Sequence, residues 1–126
     1  MKNRRFNITS SQINSLSNII LDTEMTQVNT SPTGNTDTRY LYPLEIQIIN
    51  DCQAGVEWLI ISDENEWIDY SGNPSSYTFV RLPYGHILQE NFNSLGRCYK
   101  FILKGYETTA SGTLVCEFIN YKSSLR

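Results

Sequence analysis

Histidine is nearly missing from this chain: His86 is the single one in 126 residues. It closes a Pro-Tyr-Gly-His turn with no second histidine to complete a metal set or a proton relay, so nucleophilic catalysis by Cys or Ser would depend on it alone, and nothing in its setting marks it as a base. Cysteine is scarce too. Cys52, Cys98 and Cys116 make an odd count without a CxxC pair, which argues against a disulfide framework and against a zinc site. They read as small buried apolar residues, a Cys98–Cys116 bridge being the alternative. The seven glycines stand singly, which suits turns and leaves no Gly-rich cradle for phosphate. No apolar run reaches the length of a membrane span and the first residues lack the apolar core of a secretory signal, so a chain that neither crosses nor needs a membrane is expected.

Charge of positive sign is thin after the start. Lys2, Arg4 and Arg5 fall in the first five positions, and the remainder carries seven basic against thirteen acidic side chains, a body of net −6. Such a surface repels a phosphate backbone, so nucleic acid is not an expected partner outside the N-terminal stretch. The densest acids, Asp63, Glu64, Glu66 and Asp69, lie in DENEWID, which lacks the central glycine and terminal bidentate Glu of a helix-loop-helix calcium site; a solvated loop is the expectation, with no metal and no cofactor.

Against these absences, 40% hydrophobic and 12% aromatic residues are enough for one core, and the length fits one domain. Residues 1–30 scatter Phe6, Ile8, Ile13, Leu16 and Ile20 among Asn, Ser, Thr and Gln. Ile13, Leu16 and Ile20 match helical spacing with Ser10 or Ser11 as a cap; a short helix and an extended arm fit equally. Residues 29–38 (NTSPTGNTDT) read as a loop.

From Tyr40 the pattern turns to short strands between turn residues. Leu44, Ile46 and Ile48 alternate with Glu45, Gln47 and Ile49; residues 56–61 (VEWLII), 77–82 and 87–92 follow, and 67–70 fit a short strand. The runs at 98–104 and 113–121 alternate clearly, and their short connection predicts an antiparallel hairpin. The expected fold is therefore all-β: an antiparallel β-sandwich, jelly-roll-like or Ig-like, of six to seven strands over residues 40–126, with an N-terminal arm or short helix and linker over 1–39.

Four segments in order, PLEIQIIN, WLIIS, LPYGHILQENF and CYKFILKGYETTASGTLVCEFIN, resemble the small β-sandwich domains of tailed-bacteriophage structural proteins, namely head decoration, head-fibre and adaptor subunits. The resemblance covers about two thirds of the chain, and the Asn- and Ile-rich composition suits phages of low-GC hosts, including crAss-like phages. The chain departs from the pattern in a longer connection at 52–55 and an insertion around 67–76, and residues 1–30 have no counterpart. The resemblance implies a non-enzymatic virion subunit, made in the host cytoplasm, that docks on major capsid, portal, adaptor or fibre proteins and forms a homo-oligomer. On that reading Lys2, Arg4, Arg5, Phe6, Ile8, Ile13 and Leu16 form a partner-binding arm that is ordered only across neighbouring subunits. Trp67 and Tyr70 are the candidate exposed patch for the competing reading, a carbohydrate- or receptor-binding module. A small acidic effector that blocks a host nuclease is the third.

Overall fold

The computed structural model describes residues 3–92 and 97–125, with side chains up to 122. Strands dominate, and each pairing among the described residues is antiparallel. In chain order they are β1 (Arg4–Thr9), β2 (Ile19–Asp22), β3 (Met25–Thr30), β4 (Thr36–Tyr42), β5 (Glu45–Ile49), β6 (Val56–Ile61), β7 (Val80–Leu82), β8 (Ile87–Asn91), β9 (Lys100–Gly105), β10 (Thr113–Ile119) and β11 (Lys122–Leu125). Two short helices, α1 (Ser10–Asn14) and α2 (Glu64–Gly72), join them. Sheet I runs β1-β10-β5-β8, sheet II runs β2-β9-β6-β7, and a third, smaller sheet runs β11-β4-β3. The all-β sandwich expected from the strand pattern is the fold, with more strands than the six or seven counted.

Alternation builds the core. Ile8 on β1, Leu114, Cys116 and Phe118 on β10, and Ile46 and Ile48 on β5 project from sheet I onto Leu21, Val56, Phe101, Leu103 and Leu82 of sheet II. Phe101 meets Phe118 edge to face at 5.7 Å or less across the interior, the centroids being 5.6 Å apart, and Phe92 stacks on Phe118 at 6.3 Å. All three cysteines are free and fully buried, and burial pushes the Cys98 thiol up to about 12 and the Cys116 thiol higher still.

Several expectations change. Residues 1–30 are not a free arm: β1 pairs with β10 from Arg4↔Phe118 to Thr9↔Thr113, so the division at residue 39 cuts through the sandwich. The helix there is a single turn capped by Thr9, not by Ser10 or Ser11, through a reciprocal pair of bonds with Gln12. Ile20 belongs to β2 instead, because Leu16 takes a positive φ of 60° that stops the helix. Residues 29–38 are the end of a β-hairpin and not a loop: β3 pairs with β4 from Met25↔Leu41 to Thr30↔Thr36, turned at Gly34 with φ 87°.

β9 and β10 do not form the expected hairpin either. Each pairs with other strands, and the connection after Gly105 carries the chain from sheet II to sheet I. It is laced to its surroundings: Tyr106 N–H donates to Gly55 O at 3.2 Å, Ser111 N–H to Cys52 O at 2.8 Å, and Ala110 exchanges two bonds with the Asn14 side chain. Short connection length excludes a parallel crossover but does not choose between a hairpin and an arch over the ~10 Å gap between layers.

Candidate interaction surface

The two sheets differ on their outer faces. On sheet II, Leu59, Ile61 and Ile102 face away from the main core, and α2 with the following segment lays Trp67, Tyr70, Tyr77 and Phe79 over them. Asp63 caps α2, its Oδ1 accepting from Glu66 N–H at 2.8 Å, while Glu66 Oε1 accepts from Ser62 N–H at 2.9 Å. Residues 67–70 are therefore helix, not strand; of the DENEWID acids Asp63, Glu64 and Glu66 stand at its N-terminus, and Asp69 accepts from the Tyr77 hydroxyl at 2.6 Å. Lys100 and Lys104 complete the cover by lying over the rings of Trp67 and Phe79, at 5.2 and 4.7 Å.

Among the described residues sheet I has no such layer. Adjacent register positions Val115↔Ile49↔Ile87 place three apolar side chains in one row across β10, β5 and β8, exposed by 37%, 50% and 60%. Asn7, Gln47 and Gln89 lie beside that row, and the nearest charges, Arg5 and Glu117, neutralise each other at 3.1 Å. The row is thus an exposed apolar strip bordered by amide side chains and by the Arg5–Glu117 ion pair, which makes it a candidate contact surface.

A second feature belongs to the third sheet. The β3–β4 hairpin leaves the body with residues 28–37 all exposed. Its turn is held by Ser31 N–H to Asn35 O at 2.8 Å and Gly34 N–H to Ser31 O at 2.9 Å. The register puts Thr26, Val28, Thr30, Thr36, Thr38 and Tyr40 on one face, with Val28 58% exposed. That face carries no charge, whereas the opposite one holds the Asp37–Arg39 ion pair.

The structure redistributes the expected site residues. Lys2 lies outside the described residues. Ile8 and Ile13 are buried at 2% and 0%, and Phe6 packs edge-on against Phe118 at 5.7 Å, so these three serve the interior and not a partner. Arg4 donates to Asp22 O at 2.7 Å and lies over the Phe6 ring, tying β1 to β2 across the sandwich. Of the arm, Arg5 and Leu16 remain exposed, Arg5 at the border of the bare face. Trp67 and Tyr70 stack on each other at 5.9 Å, but Tyr70 is only 6% exposed and its hydroxyl accepts from Asn18 Nδ2 at 2.9 Å, so the pair is not an exposed platform.

Among the described residues the depressions are shallow; one of about 330 Å³ at the edge of sheet I is lined by Glu45, Gln89, Glu90 and Asn91. A shallow depression of about 240 Å³ borders the start of α2, lined by Asp63, Glu64, Asn65, Arg97 and Tyr99, but Asp63 is spent on its cap and Arg97 on Glu24 at 3.2 Å. Among the described residues no three His, Cys, Asp or Glu side chains gather as metal ligands. His86 is exposed in its turn, its backbone carbonyl accepting from Asn50 N–H at 3.0 Å.

Sequence reasoning missed the row and the hairpin. A signal for each was there: Ile49, Ile87 and Val115 stand on the polar phase of otherwise alternating strands, and β-branched residues recur at alternate positions on both sides of the Ser-Pro-Thr-Gly turn. No protein-family model, curated protein or solved structure matches the chain.

Proposed function

We propose that this chain is a non-enzymatic structural subunit of a tailed-phage particle, a decoration, adaptor or fibre-anchoring component that works by docking on virion proteins, further copies of itself included. The observation that carries the reading is the exposed Val115–Ile49–Ile87 row on the outer face of sheet I, on a sandwich whose other sheet is covered on both sides. A layer of side chains that satisfies no interior and bears no charge for steering a small ionic ligand is suited to shape-matched contact with protein. The projecting hairpin adds a second contact element, and the acidic body keeps the free subunit from binding nucleic acid nonspecifically.

In this role the former arm residues act from within. β1 zips onto β10 and supplies Phe6 and Ile8 to the core, so the docking surface is rigid before the partner arrives and little ordering entropy is lost on contact. Peptide mass spectrometry of gradient-purified particles tests the proposal. Peptides of this chain should co-purify with capsid, portal or fibre proteins in a fixed ratio to them; their confinement to the soluble lysate would rule the role out.

A further inference from the structure

The Val115–Ile49–Ile87 row of sheet I and the Thr26–Val28–Thr30 side of the hairpin are two exposed strips without charge on one chain. We propose that they are the two halves of one contact, so that the hairpin of each copy lies on sheet I of the next in a head-to-tail assembly. This inference concerns contact between copies and does not depend on where the assembly resides.

Three observations support the second copy as the occupant. The first is electrostatic: the chain carries 23 charged side chains, thirteen acidic and ten basic, yet neither the Val115–Ile49–Ile87 row nor the Thr26–Val28–Thr30 face carries one. These are the places where two copies can approach without opposing charges being buried. The second is chemical. Thr and Val side chains on the hairpin and Val and Ile side chains on sheet I are the β-branched types that interdigitate when two sheets pack face to face.

The third is size. The hairpin is two strands wide and sheet I is four, so by strand spacing roughly 10 Å of hairpin lies across roughly 19 Å of sheet. A two-stranded ribbon exposed on both faces is marginal by itself, and a sheet beneath it supplies the missing layer. Because the two halves differ, the contact is heterologous: every copy both gives a hairpin and receives one, and the chain of contacts closes into a ring or runs on. A contact smaller than the ~800 Å² per partner of a typical stable interface is made adequate by that repetition.

Cysteine mapping tests it, since Cys52, Cys98 and Cys116 are wholly buried and leave introduced thiols as the reactive ones. Val28→Cys and Ile49→Cys are made singly, with Ile68→Cys on exposed α2 as the collisional background. Mild oxidation of a mixture of the first two should give mostly Val28–Ile49 crosslinked heterodimers, well above the Ile68 background, and the double variant should give a ladder of covalent oligomers. In sedimentation velocity, Val28→Lys and Ile49→Lys should each weaken self-association roughly tenfold or more, with circular dichroism unchanged. Ile49 homodimers as the main product would show sheet I pairing with itself and overturn the proposal. Crosslinking at background level, or a wild-type chain that stays monomeric throughout a concentration series, would overturn it too. Ile87→Lys and Thr36→Lys repeat the test on each side if a first variant fails to fold.

Discussion

Ile102 and Ile49 occupy equivalent places on the two sheets: each is a β-branched residue on the outward phase of a strand with neighbours on both sides. Ile102 on β9 is 0% exposed because α2 and its aromatic residues lie over it; Ile49 on β5 is 50% exposed because nothing does. The difference does not come from the strands, whose alternation is similar, but from the chain that follows them. After β6, Asp63 starts a helix that folds back over sheet II, whereas the residues that follow β5 leave Ile49 exposed. Burial on one sheet is thus completed within the molecule, whereas the other keeps an exposed apolar row.

The comparison breaks most visibly in stability. Ile102→Ala removes methylenes from a closed layer and should cost ~2–5 kcal/mol in urea unfolding, while Ile49→Ala should stay within ~0.5 kcal/mol of wild type. Equal losses at the two positions would mean that sheet I is covered in solution by this chain itself.

The inner faces should show no such contrast. Gly105, at the end of β9, sits against the main-chain carbonyl and side chain of Ile13 in α1, where a β-carbon would collide with backbone and not with a movable side-chain tip. Gly105→Ala should therefore destabilise by ~1–3 kcal/mol or more, read from the denaturation midpoint. A neutral outcome would show that α1 does not close that end of the core.

The cover on sheet II can also be loosened at its origin. Asp63→Ala deletes the bond to Glu66 N–H and should cost ~0.5–2 kcal/mol. The loss should be accompanied by a greater exposure of Trp67, seen as a red shift of its fluorescence. Unchanged fluorescence with lowered stability would separate capping from the packing of the layer.

Why one face was legible in the sequence and the other was not follows from the same comparison. Strands β5, β6, β8, β9 and β10 show themselves by alternation, since local periodicity reports which residues leave water. What lies over a sheet is decided by chain tens of residues away. WIDY at 67–70 satisfies a strand pattern as well as a helical one over four residues, and only Asp63 with Glu66 three positions on distinguishes them. Phe6 and Ile8 looked like an arm because Asn, Arg and Thr separate them; that spacing is the period-two pattern of a strand whose partner, β10, is more than a hundred residues distant. For the interaction surface, no local rule marks Ile49, Ile87 and Val115 as neighbours, because their row exists only after register is set across three strands.

The smallest expected effect is spectroscopic and belongs to the covered side. Tyr77 Oη donates to Asp69 Oδ2 at 2.6 Å, and this bond, followed by desolvation and the nearby carboxylates of Asp69, Glu66 and Asp63, pushes its phenol from 10.0 up to about 12. The folded value lies above the unfolded one, so whatever the bond contributes to stability is complete below pH 10 and is lost as pH rises towards 12. Asp69→Asn removes the charged acceptor and should bring one phenol to ionise at lower pH in an absorbance titration at alkaline pH, with little change in the folded state at neutral pH. A titration curve that overlays the wild type would mean that Tyr77 does not hold Asp69 in solution. The segment after α2 would then rest on sheet II through Phe79 and through the packing of Tyr77 on Tyr70, their ring centroids 5.3 Å apart, without the Tyr77–Asp69 bond.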